Sequence, residues 1–349
     1  MPQRNYKFDN IRCVLIFLVV FAHLLEAFDG GLILTVYRAV YTFHMPVFLF
    51  VTGYFARFDK KRIFASFIYP YFLFQTLYIL LAQHTTSPAS KLQYTTPYWL
   101  LWYMFACIIY YVLIPMIDTP SRTARVVILS GAVVLSLAIG ADKTVGYYMS
   151  LSRACVFFPF FIAGYYAGHP SRKYPTLMKI NPSTSLPLKI ISGVLLTAAS
   201  ITVAMAHTTV RTAQLYGSFP YVGTGGNILT RGALLLLALS WIAFFTAATP
   251  ERKLRLLSSV GANTVSVYIA HGFIIIIVKY AISIYGAGVF ASQPAALALS
   301  AALAAVIVLL FGSRTAKCIY INIFTGKPLL SLYARLTSQK PLSDKPARS

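Results

Sequence analysis

The first apolar segment of the chain contains two ionisable side chains whose spacing suggests a shared role. Arg12 and His23 stand eleven residues apart in a stretch that is otherwise mostly Val, Ile, Leu and Phe. On a helix, eleven steps of about 100° return to nearly the same face, with a rise of about 16 Å between the two positions. Ionisable groups in such a stretch are costly and usually functional. The spacing therefore predicts a tunnel with a cation near one end and a proton-transferring imidazole deeper inside.

Glu26 is the carboxylate closest to this imidazole in sequence. It follows His23 by three residues and would lie on nearly the same helix face. There it would orient the imidazole and stabilise its charged form, as the third member of a catalytic triad does. The alternative is an acid at the membrane interface, at the outer end of the helix. We predict His23 as the catalytic base or nucleophile, with Arg12 and Glu26 as its partners.

Two further histidines lie within apolar sequence. His44 and His271 both fall in the middle or outer half of their segments. A single buried histidine commonly serves a neighbouring helix, but three at compatible depth favour a shared cavity. Pro46 follows His44 by two residues and predicts a break in that helix, which membrane proteins tolerate where a cavity is lined.

A basic turn follows the second apolar segment and contains Arg57, Lys60, Lys61 and Arg62. In the predicted topology this turn faces the cytosol, where cationic side chains suit the phosphates of a soluble donor. An ordinary cytosolic loop would carry the same charges, so both interpretations stay open. Near the outer side, Arg153 either extends harmlessly to the interface or contacts an acceptor.

The composition identifies a polytopic membrane protein. Of 349 residues, 58% are hydrophobic and 11% charged, whereas soluble domains carry about 25% charge. We predict an all-α bundle of about ten transmembrane helices, each roughly 17–25 residues long. The predicted spans are residues 10–28, 38–57, 62–83, 98–118, 125–141, 148–168, 188–207, 228–249, 258–282 and 292–312.

The positive charges follow the predicted spans. The net charge is +22, yet the predicted outer loops contain only Lys91, Lys143 and Arg211. This asymmetry predicts that both termini are cytosolic and explains the charge without nucleic-acid binding. No motif for a metal, a nucleotide or a dinucleotide is present. We divide the chain into a transmembrane domain, 1–313, and a basic juxtamembrane tail, 314–349, expected on the anionic inner leaflet.

An ordered series of motifs extends along the chain. Its parts are Phe8–Arg12 with His23, Phe43–Pro46 with Thr52–Phe55, Pro97–Trp102, Phe158–Gly164 and Ser266–His271. The series resembles the acyltransferase-3 family of integral membrane acyltransferases, in particular its fucose 4-O-acetylase-like branch. The resemblance covers essentially the whole chain.

This resemblance implies an O-acyltransferase of the plasma membrane that moves an acyl group, commonly acetyl from cytosolic acetyl-CoA, onto a sugar of an envelope polysaccharide. His23 would match the family's essential histidine and Arg12 its partner. Arg57 and Arg62 depart from the family's basic motif in spacing. Trp99 and Trp102, with His44, His271 and Arg153, are predicted to line the acceptor site or cavity. Acyl-CoA is expected as a substrate, with no bound cofactor; carbohydrate, membrane lipids and the envelope-polysaccharide machinery are the expected partners.

Two questions stay open at this point. The acyl group would pass either directly to the acceptor or through an acyl-histidine. The main alternative to an enzyme is a protein of the same membrane fold that exports or flips polysaccharide. A small-molecule transporter is less favoured, because no internal symmetry of paired broken helices is visible. Catalysis predicts near-total loss of activity when His23 is replaced, whereas export predicts that transport is largely retained.

Overall fold

The computed structural model describes residues 6–146, 148–168, 185–286 and 292–338, and the regular structure within them is helical. The predicted all-α class is confirmed. The helices are α1 (Tyr6–Leu25), α2 (Gly31–Tyr41), α3 (His44–Tyr54), α4 (Lys60–Ile63), α5 (Tyr69–Gln83), α6 (Trp102–Ile117), α7 (Arg122–Ala138), α8 (Leu151–Gly168), α9 (Leu186–Met205), α10 (Thr212–Tyr216), α11 (Ile228–Ala248), α12 (Arg255–Gly261), α13 (Thr264–Tyr285), α14 (Gln293–Phe311), α15 (Arg314–Ile323) and α16 (Lys327–Ser338). A π-helical turn, Phe64–Ile68, joins α4 to α5.

Nine helical stretches in the described chain are long and apolar enough to cross a membrane. They correspond to nine of the ten predicted spans, which supports a polytopic bundle. The exception is the predicted span 148–168. Helix α8 does form there, but Arg153 and Pro159 lower its hydropathy, and it is not among the nine. Its side chains pack inside the bundle instead, where Phe160, Phe161 and Tyr165 are almost completely buried.

The second span is broken, as Pro46 predicts. Helix α2 ends at Tyr41 and α3 begins at His44, so the break lies just before the proline. Pro46 occupies the first turn of α3, where its missing N–H is tolerated, and it leaves the carbonyl of Thr42 without a helical partner. At the end of α2 the Thr42 hydroxyl donates to the Ala39 carbonyl at 2.7 Å. The break therefore places His44 at the beginning of a new helix within the bundle.

Helices α3 and α8 approach each other so closely that only glycine fits at the crossing. A Cβ atom on Gly53 would overlap the Phe161 carbonyl, and one on Gly164 would overlap the Phe50 carbonyl. Small residues of this kind let helix backbones come together in a membrane bundle. This contact fixes α3, which carries His44 at one end and Thr52 towards the other.

We expect Gly164→Ala to destabilise this crossing. The added methyl group would force the two backbones apart, at a cost of roughly 1–3 kcal/mol. The control is Gly131→Ala on α7, where a Cβ atom would meet nothing within 4 Å. Thermal unfolding in detergent should show a lower midpoint for Gly164→Ala and an unchanged or higher one for Gly131→Ala. Equal midpoints would mean that the crossing tolerates a wider separation.

The first part of the basic tail folds against the bundle. The Lys317 ammonium in α15 donates to the Ala262 carbonyl at 3.2 Å, and Tyr320 is buried. By contrast, α16 exposes Leu329, Leu332 and Tyr333, as a helix lying on a membrane surface would. The remaining tail residues, 339–349, lie outside the described residues.

The orientation of the bundle remains a prediction that reporter fusions can test. Because basic residues are rare in the predicted outer loops, we expect fusions at Ser90 and Val145 to report the outside. A fusion after the C-terminal residue should report the cytosol. A reversed signal at any of these positions would overturn the predicted topology.

Candidate active site

Two cavities lie end to end inside the bundle. The outer cavity has a volume of about 290 Å³ and includes His23, Met45 and Leu100 in its lining. The inner cavity has a volume of about 310 Å³ and includes Arg12 and Phe48. Helices α1 and α3 thus contribute to both cavities at successive positions. The spacing of Arg12 and His23 predicted one tunnel, and the structure divides it into two cavities on the same axis.

The two cavities share one apolar core cluster as part of their surroundings. Met45 and Trp99 line the outer cavity, Phe48 and Tyr268 line the inner cavity, and all four pack against the core cluster that contains Ile16 and Val267. The Tyr268 hydroxyl donates to the Leu100 carbonyl at 2.6 Å. The inner and outer cavities are therefore bordered by consecutive positions of the same helices.

His23 is part of a chain of three ionisable side chains at the outer cavity. Its Nδ1 lies 2.7 Å from Glu26 Oε1, and the other oxygen of Glu26 lies 2.8 Å from the Lys279 ammonium. The His23 and Glu26 side chains are only 12% and 19% exposed, so solvent screens these contacts weakly. Glu26 thus lies between the imidazole and a cation, and the outer cavity brings together the predicted pair His23 and Glu26.

This geometry determines what His23 can do chemically. A carboxylate accepts a hydrogen bond, so in the neutral imidazole of His23 the proton lies on Nδ1 and the lone pair on Nε2. That is the arrangement of the histidine in a Ser-His-Asp triad, where the carboxylate fixes the tautomer and stabilises the imidazolium. The Nε2 atom can therefore take a proton from a hydroxyl or attack a carbonyl carbon.

Lys279 is a site residue that the sequence reasoning missed. It lies in the outer half of α13, in a run that is otherwise uncharged, and it contacts both Glu26 and the ring of Trp99, the latter at 5.0 Å. The signal that identifies Arg12, an ionisable residue inside an apolar helix, applies equally to Lys279. Its partner Glu26, directly after α1, could not be found from sequence, because the two lie 253 positions apart.

The other two predicted histidines lie close to His23. The His271 ring is 5.6 Å from the His23 ring, and His44 lines the outer cavity. The Nδ1 of His271 lies 3.0 Å from the Val267 carbonyl, and the Nδ1 of His44 lies 2.9 Å from the Val40 carbonyl. Because a carbonyl accepts a hydrogen bond, the neutral ring of each histidine has its lone pair on Nε2. The Nε2 of His271 is buried and has no hydrogen-bond partner among the described residues. In the part of the chain that the structure describes, no three His, Cys, Asp or Glu side chains are grouped as metal ligands.

Aromatic rings form one side of the outer cavity. Trp99 lies 4.9 Å from the His23 ring, and Arg153 lies over both Trp102 and Tyr216 at 5.2 and 5.8 Å. Trp99, Trp102 and Arg153 all line the outer cavity, together with His44. Trp99 has a φ of 40°, in the left-handed region that a bulky side chain rarely adopts. Such strain is concentrated at functional sites, where the surrounding structure imposes it.

Tyrosine hydroxyls complete the polar edge of the outer cavity. The Tyr41 hydroxyl donates to Glu26 Oε1 at 3.3 Å, and the Tyr37 and Tyr216 hydroxyls lie 2.7 Å apart. Tyr37 and Tyr41 are neighbours on one face of α2. Nothing in the sequence distinguishes these two residues among the 24 tyrosines of the chain.

The predicted donor-binding residues divide into two groups. Arg12 and Arg62 line the inner cavity, with the Arg12 guanidinium over the Phe55 ring at 4.5 Å. Arg57, Lys60 and Lys61 are exposed and do not belong to the described lining of that cavity. The structure therefore brings together Arg12 and Arg62 but leaves the rest of the basic turn at the surface.

The fold and the two cavities define a helical membrane protein with a triad-like histidine in its interior. A comparison with protein families matches residues 5–313 to a family described as an acyltransferase domain. The chain belongs to the acyltransferase-3 family and is a membrane acyltransferase, which confirms the family resemblance. The narrower branch remains a prediction. No curated protein and no solved structure matches the chain.

Proposed function

We propose that this protein is an O-acyltransferase, most simply an O-acetyltransferase, of the plasma membrane. It takes the acyl group from cytosolic acyl-CoA and transfers it to a hydroxyl of an envelope or exported polysaccharide. The observation that carries this proposal is the 2.7 Å contact between His23 Nδ1 and Glu26 at the wall of the outer cavity. A base oriented in this way is what an alcohol needs to attack a thioester.

The reaction requires one proton to pass through His23. Nε2 accepts the proton of the acceptor hydroxyl while the acceptor oxygen attacks the thioester carbonyl. The carbon–sulfur bond then breaks, and the thiolate of CoA receives the proton from the imidazolium. Glu26 stabilises the imidazolium between these two steps. If His23 is acylated first, Nε2 attacks the thioester carbonyl, the carbon–sulfur bond breaks and CoA leaves as the thiolate. The acceptor oxygen then attacks the acyl carbon, the carbon–nitrogen bond breaks, and the freed imidazole passes the hydroxyl proton to the CoA thiolate.

The outer cavity suits a carbohydrate acceptor. Sugar rings present apolar C–H faces and polar hydroxyl edges, and the cavity offers Trp99 and Trp102 beside the hydroxyls of Tyr37 and Tyr41. Arg153 and Lys279 add two cations at the same site. A few convergent polar groups in an otherwise aromatic pocket are typical of a site that orients one small substrate.

The inner cavity suits the donor. Arg12 and Arg62 are cationic side chains at the predicted cytosolic end of the bundle, and guanidinium groups bind phosphate through charge-assisted hydrogen bonds. The pantetheine arm of acyl-CoA would extend from there towards His23, about 16 Å further along α1. Donor and acceptor would then meet at the junction of the two cavities.

Mass spectrometry of envelope glycans tests the proposal directly. Cells that produce the protein should contain O-acylated sugars that cells without it lack. Purified protein in lipid nanodiscs should transfer labelled acetyl from acetyl-CoA to glycan isolated from the deficient cells. Identical acylation in both cell types, with no transfer in nanodiscs, would overturn the proposed activity.

A further inference from the structure

The inner cavity collects basic side chains from three distant parts of the chain. Arg12 comes from α1 and Arg62 from α4, whereas Lys317 and Lys327 come from α15 and α16. The two lysines lie beyond residue 313, where the match to the acyltransferase family ends. A segment outside the family domain thus contributes half of the cationic side chains at this cavity.

The tail is attached to the cavity wall at defined points. The backbone N–H of Gly326 donates to the Ala65 carbonyl at 3.0 Å, in the π-helical turn that carries Ser66 and Phe67 into the cavity lining. Gly326 fits there closely, because a Cβ atom would come within 3.0 Å of Phe64. Tyr320 is buried, with its ring stacked near Phe74. These contacts hold α15 and the start of α16 against the bundle, so the backbone at both lysines has a fixed position beside the cavity.

The charge in this cavity points to an anionic ligand. The described lining includes no Asp or Glu. Asp9 lies 3.9 Å from Arg12 and offsets one positive charge, while Arg12 and Arg62 repel each other. Collected cations of this kind are stabilised when a phosphate group binds between them. The cavity volume of about 310 Å³ is at the lower end for ligand sites, so it would hold part of a larger molecule.

We propose that Lys317 and Lys327 bind phosphate groups of the donor, together with Arg12 and Arg62, so that α15 and α16 belong to the donor site. This inference rests on the proposed function, which makes acyl-CoA the donor. A phosphate on an anionic lipid headgroup offers the same chemistry as a phosphate of coenzyme A. The test must therefore separate these two sources.

The experiment measures the affinity of the purified full-length protein for coenzyme A in nanodiscs of phosphatidylcholine alone. We expect Lys317→Ala and Lys327→Ala each to weaken binding roughly tenfold, the scale of one charge-assisted hydrogen bond. The dependence of binding on salt should also become less steep, which a merely structural role would not cause. Lys317→Arg should retain most of the affinity. Arg314→Ala is the matched control, since Arg314 is exposed on the same helix and does not line the cavity.

The possible outcomes separate the role of the two lysines from the identity of the donor. Weaker binding by both lysine variants, with Arg314→Ala unchanged, supports the inference. Wild-type binding by both lysine variants overturns it and leaves the proposed function intact. If the affinity of the variants for coenzyme A differs from that of the wild type only in nanodiscs that contain phosphatidylglycerol, the lysines bind lipid headgroups and the inference is wrong. A wild-type protein that does not bind coenzyme A in either membrane overturns both the inference and the proposed donor.

Discussion

Replacing His23 by Ala is expected to abolish acyl transfer. General acid–base catalysis contributes on the order of 10²–10⁴-fold, and a nucleophilic role would contribute at least as much. His23→Gln should not restore activity. A glutamine can keep the hydrogen bond to Glu26, but it cannot take up and release a proton near neutral pH. The measurement is transfer of labelled acetyl from acetyl-CoA to the glycan, by purified protein in nanodiscs.

His84→Ala is the matched control for this prediction, because His84 is exposed in a predicted outer loop and should not affect transfer. His44→Ala and His271→Ala should give partial defects, since their Nε2 atoms lie near the reacting centre without a carboxylate partner. Protein levels and melting temperatures should be matched across the series. Full transfer by well-folded His23→Ala would exclude His23 as base or nucleophile, and the export alternative would then be the better explanation.

Mass spectrometry of the purified protein distinguishes direct transfer from transfer through an acyl-histidine. Acetyl-CoA without an acceptor should add one acetyl group to the wild-type protein if the reaction passes through an acyl-histidine. The added mass should be absent from His23→Gln. If the wild-type protein acquires no acetyl group but transfers rapidly once the acceptor is added, the acceptor hydroxyl attacks the thioester directly.

Much of the fold was predictable because it depends on local composition. Nine of the ten predicted spans correspond to long apolar helices, since a run of about 20 apolar residues is visible in any sequence. The break near His44 was predictable from Pro46 alone. The close crossing of α3 and α8 was not, because it depends on Gly53 and Gly164 meeting carbonyls on another helix. Sequence alone does not give which helices are neighbours.

In the candidate site, too, the residues that are close in sequence were predictable and the distant ones were not. Arg12 and His23 share α1, and Glu26 directly follows its last residue, so their spacing in the sequence was sufficient to group them. Lys279 and the tail lysines reach the cavities from parts of the chain more than 250 positions away from α1, and no periodicity connects them. The basic turn shows that residues close together in the sequence can also differ in their position relative to a cavity. Four basic residues within six positions look equivalent in sequence, yet of these four only Arg62 belongs to the lining of the inner cavity.

Glu26 and Lys279 should act as one positioning unit behind His23. We expect Glu26→Gln to lower kcat on the order of 10²-fold or more, because the neutral amide can no longer stabilise the imidazolium or hold its tautomer firmly. The KM for acyl-CoA should change little, since the donor phosphates are expected in the inner cavity. A general loss of structure would instead affect both constants and the melting temperature.

Lys279 is expected to contribute through Glu26 and not by contact with the donor. Removing one partner of a poorly solvated ion pair leaves the other charge uncompensated, so Lys279→Met should reduce both activity and stability. The double variant Glu26→Gln/Lys279→Met should then lose less than the sum of the single losses, because both variants disrupt the same contact. Lys279→Arg should preserve most of the activity, and Lys91→Met, at an exposed outer position, should behave as wild type. Additive losses in the double variant would show that Lys279 acts independently of Glu26, most directly on the acceptor beside Trp99.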